Sequence, residues 1–163
     1  MINRFMEAKT ENQRLLVFLQ LFFLFWTAFG FFYFAVEHWV IDHFLDSFGS
    51  QIPLYVALVG FPLSLAMFFT TRKAVRLPYT VWMAITVGVG LLGALFHLFY
   101  NAGDAGVSLF SISGFFEAFT DPYRPVLAAL AHVNVGAVGL MVGLTIQDKP
   151  THEEDVHGEA RVR

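Results

Sequence analysis

The feature that most constrains the fold of this chain is a long apolar run close to its start. Residues 15–36, LLVFLQLFFLFWTAFGFFYFAV, contain no charged side chain. As an α-helix rising ~1.5 Å per residue, the run would be about 33 Å long, which matches the hydrocarbon thickness of a lipid bilayer. We therefore predict that this segment spans a membrane and that its many phenylalanines contact lipid or another apolar partner, such as a neighbouring helix, a pigment or a quinone.

Three more apolar runs follow, at residues 54–70, 79–100 and 126–146. Hydrophobic residues make up 56% of the chain and charged residues only 14%, whereas soluble domains carry about 25% charged residues. The apolar residues are collected in these runs and not spread as they would be around a soluble core. The sequence therefore predicts four membrane spans.

Glycine and proline mark the predicted boundaries of the middle spans. Residues 49–53 and 77–78 are predicted turns before the second and third spans, because each contains a proline and the first also contains glycine. Pro62 lies inside the second span, where it is predicted to kink the helix by removing a backbone hydrogen bond.

The segment between the third and fourth spans has a different character. Residues 107–120 are too few to cross a bilayer, and they carry four phenylalanines beside serines and Glu117. This pattern favours a helix that lies in the membrane interface. The predicted fold is all-α: an integral membrane four-helix bundle with a short amphipathic interfacial helix between the third and fourth spans.

The chain is predicted to have three parts. Residues 1–14 form a cytoplasmic N-terminal segment, residues 15–146 form the transmembrane domain, and residues 147–163 form a disordered cytoplasmic tail without apolar periodicity. The basic residues set this orientation, because all but Arg124 fall on the side of the two termini. We expect a multi-pass protein of a bacterial-type inner (plasma) membrane, with its acidic, histidine-bearing outer side attracting cations.

Two spans carry stripes of small residues that end in a histidine. Helical spacing places the members of each stripe on one face. In the third span these residues are Thr86, Gly90, Gly93 and His97, and in the fourth they are His132, Gly136, Gly139 and Gly143. Small residues let membrane helices approach closely. We predict that the two spans pack along these glycines, with both histidines at the open end of the contact.

The sequence is compatible with several roles for these histidines. A transition metal (Cu, Fe or Zn) or a haem b could be held by His97 and His132. For the metal, the predicted helping ligands are His38, Asp42, Asp104 and Glu117. The chain contains no cysteine, which excludes thiolate ligands and leaves imidazole and carboxylate. Alternatively, the histidines only form hydrogen bonds that lock the bundle.

Function is correspondingly open at this stage. The leading hypothesis is a metal or haem site in a redox, metal-handling or membrane-oxidase context. One alternative is a cofactor-free structural or assembly subunit of a larger membrane complex, and another is proton or ion transport. No catalytic residue is assigned. The expected partners are the lipid bilayer and other membrane subunits, and no nucleic acid.

Overall fold

The structure, a computed structural model, describes residues 1–40 and 48–146 and contains six α-helices in these residues. They are α1 (Ile2–Glu7), α2 (Glu11–Val40), α3 (Phe48–Phe69), α4 (Lys73–Ala105), α5 (Ile112–Phe119) and α6 (Val126–Thr145). Four of them, α2, α3, α4 and α6, are long and apolar enough to cross a membrane. The predicted all-α four-helix class is confirmed, and the chain is a small multi-pass membrane protein.

The short helix α5 occupies the segment for which an amphipathic helix was predicted. It begins after Ser111, whose hydroxyl oxygen accepts a hydrogen bond from the backbone N–H of Gly114 at 3.1 Å. Phe110 and Ile112 are fully or largely exposed beside it. Its placement in the membrane interface stays a prediction.

The two predicted turns that contain proline are helical instead. Gly49 and Pro53 lie inside α3, and Pro78 lies inside α4. Both prolines come within the first two turns of their helices. Each is the sixth residue of its helix, just past the first four N–H groups that have no intrahelical partner, so it removes one backbone hydrogen bond near the helix start. The predictions of turns at 49–53 and 77–78 are therefore wrong, and α4 begins earlier than the predicted third span.

The four long helices pack in a ring, in which α6 lies between α4 and α2. Its most extensive contact is with α4 and its next is with α2, while α3 packs against both α2 and α4. Leu24, Phe31, Met67, Tyr79 and Met83 are completely buried where these helices meet.

The contact between α4 and α6 brings backbone against backbone. A Cβ atom on Gly90 would lie 2.8 Å from the backbone nitrogen of Val133. One on Gly136 would lie 2.9 Å from the carbonyl oxygen of Met83 and from the backbone nitrogen of Val87. Backbone atoms cannot rotate away as side chains can, so only glycine fits at Gly90 and Gly136.

The other three glycines of the predicted contact meet side chains. Gly139 faces Met83 and Thr27, and Gly143 faces Thr80. A Cβ atom on Gly93 would lie 3.4 Å from the Cβ of Ala129, which is close to ordinary contact. The need for glycine is therefore strongest in the middle of the contact and weakest at Gly93.

Hydrogen bonds join the helices at the end of the bundle where the described chain starts and finishes, here called the terminal end. The Gln20 side-chain amide donates to the carbonyl and hydroxyl oxygens of Thr145, each at 3.3 Å. The Arg76 guanidinium donates to the carbonyl oxygen of Ile146. The Met1 amine lies 2.9 Å from the carbonyl oxygen of Phe68. The opposite end, which carries α5, is called the far end, and which end faces the cytoplasm stays a prediction.

Candidate functional site

His132 of α6 is buried in the far half of the bundle, with 5% of its surface exposed. Its imidazole ring stacks on the ring of Phe34 from α2, with the ring centroids 3.8 Å apart and the planes 10° from parallel. Its Nδ1 atom lies 3.3 Å from the carbonyl oxygen of Ala128 in the preceding turn. One face of the imidazole is thus covered by an aromatic ring from the neighbouring helix.

A second histidine meets this ring from α2. His38 is also buried, and its ring lies perpendicular to that of His132 with 5.9 Å between the centroids. Its Nδ1 atom is 2.9 Å from the carbonyl oxygen of Phe34. Phe31, Phe34 and His38 follow one another at helical spacing on the buried stripe of α2. This stripe turns His38 inward.

The hydrogen bonds define where the protons lie. A carbonyl oxygen only accepts, so the Nδ1 atom of each histidine must be the donor, and in His132 the lone pair is then on Nε2. In His132 that Nε2 atom is buried and has no hydrogen-bond partner among the described residues. A metal-binding histidine usually has this arrangement, with one ring nitrogen donating to a carbonyl or carboxylate and the other bound to the metal.

His97 of α4 lies beside the residue that precedes α6. Its Nδ1 atom is 3.2 Å from the carbonyl oxygen of Pro125, directly before α6. Pro125 precedes His132 by seven residues, which is about 10 Å along the helix. The described ring contacts of His132 are with Phe34 and His38. A site shared by His97 and His132 stays a prediction, whereas His38 and His132 are brought together.

Two of the predicted carboxylate ligands, Asp104 and Glu117, lie at the far end. Asp104 forms an ion pair with Arg124 and accepts a hydrogen bond from its guanidinium. This hydrogen bond and the negative charge of Asp104 raise the pKa of the Arg124 guanidinium. Glu117 is exposed on α5, and Asp42 lies outside the described residues. Within residues 1–40 and 48–146, no three His, Cys, Asp or Glu side chains form a group that could hold a metal ion.

Asn101 connects three elements at the far end. Its side-chain amide donates to the carbonyl oxygen of Ala118 in α5 at 2.8 Å and to that of Arg124, just before α6, at 3.0 Å. The side chain is 1% exposed. Asn101 therefore holds α5 and the start of α6 against α4.

Sequence reasoning did not single out Phe34 from the other phenylalanines of its span, which were expected to face lipid or another apolar partner. The available signal was the spacing of Phe34 and His38 on one helical stripe. Comparisons of this chain with protein-family models, with curated proteins and with solved structures find no match.

Proposed function

We propose that this membrane protein binds a transition-metal ion between His38 of α2 and His132 of α6. The observation that carries the proposal is the buried Nε2 atom of His132, which has no partner among the described residues, next to a second imidazole. With metal–nitrogen bonds of ~2.0–2.1 Å, two imidazoles on one ion have ring centres about 5–6 Å apart. The 5.9 Å between His38 and His132 supports such a pair.

The remaining ligands have to come from outside the described pair. Asp42 follows His38 by four residues in the sequence, and we propose its carboxylate as the third ligand. Imidazole and carboxylate together suit Cu, Fe or Zn. The chain has no cysteine, whose thiolate would favour softer metal ions. The proposed role is metal handling or redox chemistry at the far end, which is predicted to face outward.

A haem at the same histidines is less well supported. The Phe34 ring already covers one face of His132 at 3.8 Å. Nearby, a Cβ atom on Gly30 of α2 would lie 2.5 Å from the side chain of Val135 in α6. A macrocycle would have to force α2 and α6 apart, whereas a single ion needs only small movements of the two imidazoles.

Proton or ion transport through the bundle also has less support. The buried hydroxyls of Thr27, Ser64 and Thr86 donate to the carbonyl oxygens four residues earlier in their own helices, at 2.8, 2.8 and 2.9 Å. A hydroxyl has one hydrogen, so a hydroxyl that donates within its own helix does not at the same time donate to a neighbouring helix. The buried polar groups thus favour a local site over a path.

Metal analysis of matched histidine variants tests the proposal. The full chain is purified from metal- and haem-replete cells, and its metal content and optical spectrum are measured. We expect about one ion per chain in the wild type and in His97→Ala, and a loss of bound metal in His38→Ala and His132→Ala.

His97→Ala is the matched control because its ring contacts the Pro125 carbonyl oxygen and not His132. A wild-type protein without metal would overturn the proposal. Equal loss in His97→Ala and His132→Ala would instead support the site predicted from the sequence, and a haem absorption band would support the macrocycle.

A further inference from the structure

The face of α6 that points away from the bundle has a regular pattern of its own. Steps of three and four residues place its members along one line, the spacing of a left-handed coiled-coil contact. These residues, here called the outer α6 face, are Leu127, Leu130, Asn134, Ala137, Met141 and Leu144. Leu127 and Leu144 are 63% and 69% exposed, and only Leu130 is partly covered.

The only polar member of the outer α6 face lies in its middle. Asn134 is exposed, and its Oδ1 atom accepts a hydrogen bond from the indole nitrogen of Trp26 in α2 at 3.3 Å. The indole nitrogen only donates, which fixes the orientation of the Asn134 amide. Its Nδ2 amino group, with two N–H donors, has no partner in the described part of the chain.

The depth of Asn134 makes this exposed amide unfavourable in lipid. Asn134 is about 12 Å from the start of α6 and about 16 Å from its end, so it lies near the middle of a hydrocarbon layer ~30 Å thick. Lipid tails offer no hydrogen-bond acceptor, and polar side chains inside a membrane normally face protein or water. A second protein helix is therefore needed over the outer α6 face.

We infer that this face pairs with the outer α6 face of a second copy of the chain. Two copies inserted in the same orientation place identical residues at the same depth, so Asn134 meets Asn134 across a two-fold axis. An asparagine amide is self-complementary, since each Nδ2 donates to the partner's Oδ1, which keeps a second lone pair for Trp26. Ala137, one helical turn away, is small enough to let the backbones approach.

The absence of native cysteine makes a direct test available. Ala137→Cys places a single thiol in the outer α6 face, and Ala84→Cys places one on an exposed position of α4. After mild oxidation in native membranes, we expect a disulfide-linked homodimer for Ala137→Cys and at least roughly tenfold less for Ala84→Cys, because a disulfide needs Cα atoms within ~7 Å.

Equal cross-linking of the two variants would overturn the inference, and so would cross-linking of Ala137→Cys to a different protein. Neither variant alters the histidines, so the result is independent of the proposed metal site.

A second pair of variants tests the role of Asn134. In resonance energy transfer between labelled copies in liposomes, we expect Asn134→Leu to lower the association constant roughly tenfold, because both interhelical hydrogen bonds of the symmetric amide pair are lost. Trp26→Phe removes only the bond within the chain and should leave association unchanged. A wild-type association constant in Asn134→Leu would contradict the inferred amide pair.

Discussion

The two faces of α6 differ although both are built mainly from small and apolar residues. The inner face carries His132, Gly136, Gly139 and Gly143, all of them buried against α4 and α2. The outer α6 face carries larger side chains and one exposed asparagine. In lipid, hydrophobicity cannot separate a buried face from an exposed one, because both are apolar. Residue size and unpaired hydrogen-bonding groups are the better guides to where protein contacts lie.

The largest expected effect comes from a large side chain placed in the close contact between α4 and the inner face of α6. Gly136→Leu places a side chain where the backbone atoms of Met83 and Val87 lie within 2.9 Å of a Cβ position. We expect a loss of about 3 kcal/mol or more in the free energy of unfolding, because α4 and α6 must separate. The measurement is denaturation of the detergent-solubilised protein, followed by circular dichroism.

The matched control for this substitution is Gly88→Leu. A Cβ atom there meets nothing within 4 Å, so we expect a change of less than about 0.5 kcal/mol. Similar destabilisation by both substitutions would show that leucine disfavours these helices for a reason other than the close contact of α4 and α6.

The next effect concerns the metal proposed at the inner face. With free metal at a hundredfold excess over its Kd, the wild-type protein should gain about 2.7 kcal/mol of stability. His132→Leu should gain none, and His97→Leu should gain as much as the wild type. Thermal unfolding with and without added metal measures the difference. Metal-dependent stabilisation that persists in His132→Leu would remove this residue from the ligand set.

A smaller effect is expected where α6 starts. Asn101→Leu removes the two hydrogen bonds to the carbonyl oxygens of Ala118 and Arg124, and the buried Ala118 carbonyl then lacks this donor. We expect a loss of about 2 kcal/mol and faster hydrogen exchange in α5 than in the middle of α6. Unchanged exchange in α5 would mean that its other contacts suffice to hold it.

The smallest effect belongs to the outer face. Trp26→Phe removes one hydrogen bond between half-exposed side chains of α2 and α6, and such bonds in membranes average about 0.6 kcal/mol. Thermal denaturation of the monomer in detergent should therefore show almost no change. A loss above about 2 kcal/mol in the free energy of unfolding would indicate that this bond holds α2 against α6. The outer α6 face would then contribute more to the stability of the monomer than its exposure implies.

The number and type of the spans could be predicted from the sequence by itself. A helix must satisfy its own backbone hydrogen bonds in lipid, so the length of an apolar run defines a span locally. The packing of α4 against α6 along their glycines could also be predicted, because small residues at helical spacing form a groove on any helix. The prolines at 53 and 78 could not be interpreted in this way, since their cost depends on where each helix begins.

Only the tertiary structure decided which residue His132 meets. His38, His97 and His132 all lie towards one end of the bundle, and the sequence paired His97 with His132 because both follow glycine stripes. Helix rotation and depth are set jointly by all the packed neighbours. The buried stripe of α2 brings Phe34 and His38 to His132, while Pro125 meets His97. The sequence of each helix thus shows which of its faces carries the histidine. The residues that each histidine contacts depend on how three helices pack together.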